Sequence, residues 1–433
     1  MSTLLIQILS AIVVGFIGYA GYLFIDSYRR SATPTDDSDI QNENSASNKS
    51  RPKPAPKKET KTLIKSSQVN SKLKWTNATN KKDHSLFFKE IGGHTVGSCC
   101  VAFSAKGDLV ASSSHDGMIR CIPVGDIGSA SPHDVYTKVE GIPTAICFTQ
   151  NAKRIIAAVG GKLKFFSISI SDQGKKLDHV KDIDSGLCAI SSVHVLDVEQ
   201  WMVVIACGTG VESKPCVRAF DQKGHVIADF KQEKRKGGRA DRNRMSLAQT
   251  AVVSASPDDR YIAVYGLGEG VGDGEVGVFE VVREKGSGAA TGLRLVFALS
   301  GHTSHVVTMA WSVNGKRLVT CCDDSVWRLW DTSVRYNESD QPRLFSGHQT
   351  LPEGALPTHV AMMKGGIVAF ACGKDLYFCA SASGAVLEHI SDACVAPVRA
   401  TSVSADGSLL ATVVDNVKRI ALWSSPKCIA TGN

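Results

Sequence analysis

An imidazole, a hydroxyl and a carboxylate fall at His302, Thr320 and Asp324, and an indole follows at Trp330. The first three types can build a nucleophilic centre: the imidazole takes a proton from the hydroxyl and the carboxylate orients the imidazole. The same groups can also spend their donors and acceptors on one another and form a structural chain. A partial second set lies at His94, Ser112 and Asp116, with Ile122 where the indole would stand. Other chemistry finds little footing. GLGEGVGDGEVG, residues 266–277, is glycine-rich but lacks a following Lys-Ser/Thr and sits between strands, so it does not cradle phosphate. No GxSxG or HExxH occurs, and Asp258-Asp259 falls in an expected turn. The 13 cysteines include the adjacent pairs Cys99-Cys100 and Cys321-Cys322, but no CxxC and no zinc spacing. Several lie in apolar runs such as AICF and VVIACG, where a thiol acts as a small core residue in a reducing compartment. No enzyme activity, cofactor or metal is expected.

The elements that must position these residues repeat. The chain has 433 residues, 43% hydrophobic, with 39 glycines, which favours many short strands joined by turns. VAFSAKGDLVASSSHDGMIRCI, ICFTQNAKRIIAAVGGKLKFFSI, VVSASPDDRYIAVYG, MAWSVNGKRLVTCCDDSVWRLWD and TSVSADGSLLATVVDNVKRIALW share one order: a short strand, a turn rich in Gly, Asn or Asp, then an apolar strand. Phe103, Phe148, Trp311 and Val403 align. Weaker copies are WMVVIACGTGVESKPCVRAFD and GGIVAFACGKDLYFCA. Seven copies with a period near 50 specify a seven-bladed β-propeller, all-β in class. The segment SLFFKEI, Ser85 to Ile91, has β character and precedes the first copy, so it is expected to complete the last blade.

The Gly301-His302 pair, with Trp330-Asp331 placed 28 residues after the histidine, resembles the WD-repeat family. The resemblance implies that His302, Thr320, Asp324 and Trp330 form that family's structural tetrad. Asp324 would accept from His302, whose other nitrogen would face Thr320, and Thr320 would reach the indole N–H of Trp330. A tetrad so built is structural and not catalytic. His94, Ser112 and Asp116 match it in part. Trp423 stands in the last repeat with two extra residues between it and Asp415. The resemblance also marks His115 and Asp323, just before the tetrad aspartates, as a candidate partner surface. Residues 276–347 narrow it to membrane-anchored adaptors of this family, which implies an endoplasmic-reticulum adaptor linked to a stress-sensor kinase and to translation under stress.

The N-terminus reads differently. Thr3 to Ile25 is 23 residues without a charge, long enough as a helix to span a bilayer core of about 30 Å. Tyr19, Tyr22 and Tyr28 cluster at its end and Arg29-Arg30 follow, so residues 1–28 are expected to form a signal-anchor transmembrane helix with everything after it in the cytosol. The rival, a cleaved signal peptide, lacks a basic leading region. Residues 29–84 read as a disordered basic linker, with eleven Lys/Arg against one acid, Glu59, between residues 49 and 82. The propeller is expected over 85–427. Net charge is +7. The linker and residues 231–244, including Lys234, Arg235, Lys236 and Arg239, could meet lipid headgroups, acidic protein or RNA. The leading expectation is a non-enzymatic scaffold at the endoplasmic-reticulum membrane that binds protein partners. The alternatives are an RNA- or ribosome-associated module and an exchange factor for a small GTPase.

Overall fold

The computed structural model describes residues 84–127, 134–171, 174–198, 201–210, 214–231, 251–266, 274–285, 289–333, 343–352 and 354–427. All of these fall in the compact unit Leu73–Asn433. The expected membrane span, almost all of the linker, and Lys234, Arg235, Lys236 and Arg239 lie outside the described residues. Among the described residues, no helix is long and apolar enough to cross a membrane.

Seven four-stranded antiparallel sheets form the blades of a propeller. Blades 1 to 6 span 98–138, 143–184, 189–231, 252–299, 306–350 and 359–390; blade 7 joins 398–424 to the strand Phe87–Ile91. In that last blade Phe87 pairs with Trp423 and Ile91 with Ile420, so the N-terminal segment closes the ring as its sequence suggests. The two weaker repeats begin one strand late. WMVVIACGT is the second strand of blade 3, whose inner strand is Ala189–Val198, and IVAFAC is the second strand of blade 6, behind His359–Met363.

Burial explains the local patterns. Second strands such as Leu109–Ser114, Arg317–Cys322 and Leu409–Val414 are buried continuously over five residues, because both faces of each blade are covered by a neighbouring blade. A strand covered on both faces reads as an unbroken apolar or small-residue run, not as an alternation. Gly315 takes φ of +67° in the turn between the first two strands of blade 5, a region that costs a side chain energy and glycine little. Seven apolar clusters result, each shared by two adjacent blades, and the seventh joins Val413, Ile420 and Leu422 of blade 7 to Val101, Val110 and Ile122 of blade 1. Each fully buried large side chain contributes about 1.5–3 kcal/mol, against about 1 kcal/mol net for an ordinary hydrogen bond. The clusters therefore hold the ring, and a blade can lose its tetrad and still form.

The inner strands border the central channel and would present unpaired edges there. Hydroxyls from neighbouring blades satisfy several of those groups. Thr144 Oγ1 donates to Ile190 O at 2.6 Å, Val360 N donates to Thr308 Oγ1 at 3.3 Å, and Phe103 N donates to Ser402 Oγ at 3.2 Å.

Candidate interaction face

Each inner strand follows a loop from the previous outer strand. Those loops, with the turns between second and third strands, gather at one end of the ring, called the upper face below. His302 enters blade 5 from such a loop, after Gly301 at φ +98°. Its Nε2 lies 2.9 Å from Thr320 Oγ1, and Trp330 Nε1 donates to the same oxygen at 3.0 Å. The histidine and indole thus meet on one hydroxyl, which fixes their spacing. The aspartate leg departs from the expectation. Asp324 is exposed and bonds elsewhere than to the imidazole: it accepts from Val326 N at 3.0 Å and lies 3.4 Å from the Thr303 hydroxyl. Asp324 caps its own turn and the chain has three members. Burial, helped by the nearby Arg328 charge, pushes His302 down to about 4 and keeps it neutral.

Blade 1 keeps a different three. His94 Nε2 lies 2.8 Å from Ser112 Oγ, and its Nδ1 lies 3.9 Å from Asp116 Oδ1, beyond hydrogen-bond range. Ile122 fills the indole's place and packs into the core against blade 7. Burial alone would raise Asp116, but bonds from Met118 N and from the hydroxyl and N–H of Thr95 hold it down to about 2. Burial pushes His94 down to about 4. An imidazole between a hydroxyl and a carboxylate looks like a nucleophilic set, but Ser112 is only 2% exposed and its hydroxyl is enclosed by the sheet.

Blade 7 carries a version that sequence reading passed over. Cys394 stands 18 residues before Thr412, the same separation as His302 from Thr320 and His94 from Ser112. Its sulfur lies 3.9 Å from Thr412 Oγ1, which accepts from Trp423 Nε1 at 3.1 Å. A cysteine therefore occupies the histidine position. Counted from it, the residue in the aspartate register is Asn416 and not Asp415, so the tryptophan is displaced by one residue, not two.

A second missed element supports the upper loops from below. Arg120, Arg218 and Arg328 occupy third strands of blades 1, 3 and 5, opposite Ser112, Ala206 and Thr320. Arg120 pairs with Asp134 at 2.7 Å, and Arg218 donates to Ser185 O at 2.7 Å and to Asp229 at 3.0 Å. Gly93 takes φ of +116°, which strains any side chain, and a Cβ there would fall 1.3 Å from an Arg120 nitrogen and push the guanidinium aside.

His115 and Asp323 are both exposed on this face, in equivalent turns of blades 1 and 5. His115 lines a groove of about 480 Å³ with Asp116, Lys138, Glu140 and Ile142, where blade 1 meets blade 2. Asp323 accepts from the Ser304 hydroxyl. The structure does not bring the two together: they belong to two different stretches of the ring. Val96, Ile142, Leu356 and Val395 are 42%, 44%, 60% and 71% exposed, and they lie on the loops entering blades 1, 2, 6 and 7. Those four blades are consecutive around the ring. The loop entering blade 5 presents Thr303 and Ser304 in their place, with Asp323 on the adjoining turn between its second and third strands. The upper face thus exposes large apolar side chains over one arc, beside the groove at His115, and polar ones over another.

The described cysteines are free, and all but Cys147, Cys188 and Cys372 are buried. Burial pushes Cys100, Cys322 and Cys379 up to about 12, so these thiols are core residues and poor nucleophiles.

The geometry defines a seven-bladed β-propeller, and the comparisons find WD40 repeats within it. The WD40 family (WD domain, G-beta repeat) matches residues 86–122 and 293–331, which hold the closing strand of blade 7 with the first three strands of blade 1, and the His302, Thr320 and Trp330 chain of blade 5. Transducin beta-like protein 2 from Homo sapiens is 23% identical over 348 residues, covering 78% of this chain and 72% of that protein. The Mus musculus protein of the same name is 21% identical over 347 residues with the same coverage. Among solved structures, the Cps50 (Swd1) β-propeller domain of Myceliophteria thermophila superposes with a TM-score of 0.56 at 14% identity, over 78% of this chain and 99% of that one, a likeness of fold alone. WD40 propellers are in general non-enzymatic scaffolds for protein–protein contact.

Proposed function

We propose that this chain is a non-enzymatic scaffold that binds protein partners through its upper face and is anchored in the endoplasmic-reticulum membrane by residues 3–25, with the propeller in the cytosol over residues 85–427. One observation carries the binding claim: the exposed apolar arc of Leu356, Val395, Val96 and Ile142 on loops of four consecutive blades, next to the charged groove at His115. Large apolar side chains left exposed on one face beside charged groups support an association site there. The histidines that could have suggested catalysis are committed to Ser112 and Thr320 inside the blades. The charge-free span followed by basic residues supports the anchor. The resemblance to membrane-anchored adaptors supports a role in stress signalling, with a sensor kinase as the partner class. His115 lies inside the binding footprint, and Asp323 lies on its polar side.

Proximity labelling from the intact chain tests this reading against a Val395→Asp/Ile142→Asp variant of equal melting temperature. A defined set of neighbours should be lost from the variant; an unchanged set counts against the upper face. Topology has its own readout, because Asn48, Asn77 and Asn337 each begin an N-x-S/T sequon. Glycan on any of them would place the chain in the lumen and end the cytosolic assignment.

A further inference from the structure

The central channel has a second mouth, at the end where each inner strand turns back into the second strand. A cavity of about 460 Å³ opens there, lined by residues of blades 1, 2, 4, 5, 6 and 7. That is within the range of small-molecule sites. Phe103, Met309, Trp311, Val313, Met362 and Val403 supply apolar wall, and none of the lining side chains carries a charge. We propose that this lower mouth binds an uncharged small molecule that presents both apolar surface and a hydrogen-bond donor.

Three observations carry the assignment. First, much of the polar wall is already satisfied from within the protein. Phe103 N donates to Ser402 Oγ, Val360 N to Thr308 Oγ1, and Trp311 Nε1 to Ser254 O at 3.1 Å. Those groups make no demand on an occupant, and the exposed wall that remains is of mixed polar and apolar character, so the occupant must offer both kinds of surface. Second, a charged ligand would surrender its hydration with no opposite charge on the lining to replace it, which excludes anions and cations alike. Asp259 is not among the lining residues and its carboxylate is already engaged: it accepts from Gln150 Nε2 at 2.9 Å and from Asp197 N at 3.0 Å. Third, one wall group is left with a defined polarity. Gln150 spends its amide hydrogens on Pro257 O at 2.7 Å and on Asp259, which fixes the carboxamide orientation and leaves Oε1 as its remaining acceptor. A ligand hydroxyl or N–H is the natural complement.

The test uses the purified full-length chain and two matched photoprobes, an aryl trifluoromethyl diazirine bearing a benzyl alcohol and the same skeleton bearing a benzoate. After irradiation, adducts are mapped by peptide mass spectrometry. The alcohol should label segments 309–313, 360–362 and 401–405 saturably, with yield falling at least tenfold under excess non-photoreactive alcohol. The benzoate should label them at least tenfold less. Val313→Trp and Ala405→Trp, placed at the rim, should each cut labelling at least tenfold in protein whose melting temperature is kept, while Val226→Trp on the exposed outer strand of blade 3 should leave it unchanged. Labelling spread in proportion to surface exposure, equal labelling by the benzoate, or no competition by the parent alcohol would each overturn the proposal, and these wild-type readouts decide the matter even where a rim variant fails to fold.

Discussion

Blades 5 and 7 carry the same hydrogen-bonded motif at different states of completion. In blade 5 a histidine and a tryptophan share the hydroxyl of Thr320; in blade 7 Trp423 shares the hydroxyl of Thr412 with a cysteine 3.9 Å away. Blade 7 also carries the joint of the ring, since Trp423 packs edge-on against Phe87 of the closing strand with centroids 5.6 Å apart. The difference teaches that the motif does not rank blades by importance. Apolar burial between sheets holds each blade, and the hydrogen bonds tune it. Blade 7 also uses its indole for closure, where blade 5 sets its own beside the imidazole that shares its hydroxyl.

The sharpest way to break this comparison is to remove the indoles. Trp423→Ala should destabilise the propeller by about 3–5 kcal/mol, and by more than Trp330→Ala, because Trp423 is fully buried and also holds the closing strand. Chemical denaturation of the two variants measures the difference; an equal loss would show that the joint depends on other contacts. Next come the shared hydroxyls. Thr320→Val orphans both His302 Nε2 and Trp330 Nε1 and should cost about 2–3 kcal/mol, whereas Thr412→Val orphans chiefly Trp423 Nε1 and should cost about 1 kcal/mol less. Matching unfolding midpoints would refute the distinction.

Acid separates the blades by another route. Burial depresses His94, His194 and His302 from 6.5 to about 4 in the folded protein. The unfolded chain therefore takes up protons first, and the stability each histidine provides is complete above 6.5 and lost as pH falls toward 4. Each should cost on the order of 1–2 kcal/mol between pH 7.5 and pH 5. Asp197 and Asp259, raised by burial, act in the opposite sense. Blade 7 has no imidazole in this position, so Cys394→His should steepen the decline in urea midpoint with acid, and a flat response would count against burial at that position. The smallest effect concerns the aspartates. Asp324→Ala, at an exposed turn, should cost under about 0.5 kcal/mol, and Asp116→Ala, which loses bonds from Thr95 and Met118, about 1 kcal/mol. Thermal melts that reverse this order would restore Asp324 to the motif.

Much of the architecture was legible because it depends on periodicity. The aligned Phe103, Phe148, Trp311 and Val403 are the terminal residues of four inner strands, and Ser85 to Ile91 holds the closing strand. The motif was legible where histidine and tryptophan both survive, since few residue types can share a buried hydroxyl in that way. Cys394 carried no such signal: a thiol in an apolar stretch looks like packing, and only the register of Thr412 shows which position it holds. The arginines were invisible for a related reason. Arg328 is 2% exposed, and a charge on a strand is read from sequence as facing solvent. The separation of Asp324 from His302 depends on side-chain direction within a turn, which spacing does not encode.

Closure by the first strand has a cost in time. Glu90 of that strand pairs with Arg419, 329 positions later. At translation rates of about 5–20 residues per second, the strand leaves the ribosome roughly 15–65 seconds before its partner exists. Through that interval it is an unpaired edge, open to pairing with other chains. Moving it behind residue 427 by circular permutation should raise soluble yield in cell-free synthesis, and no gain would mean that the nascent chain is protected by other means. Until its last strands arrive, the newborn chain carries an unanswered half of its own clasp.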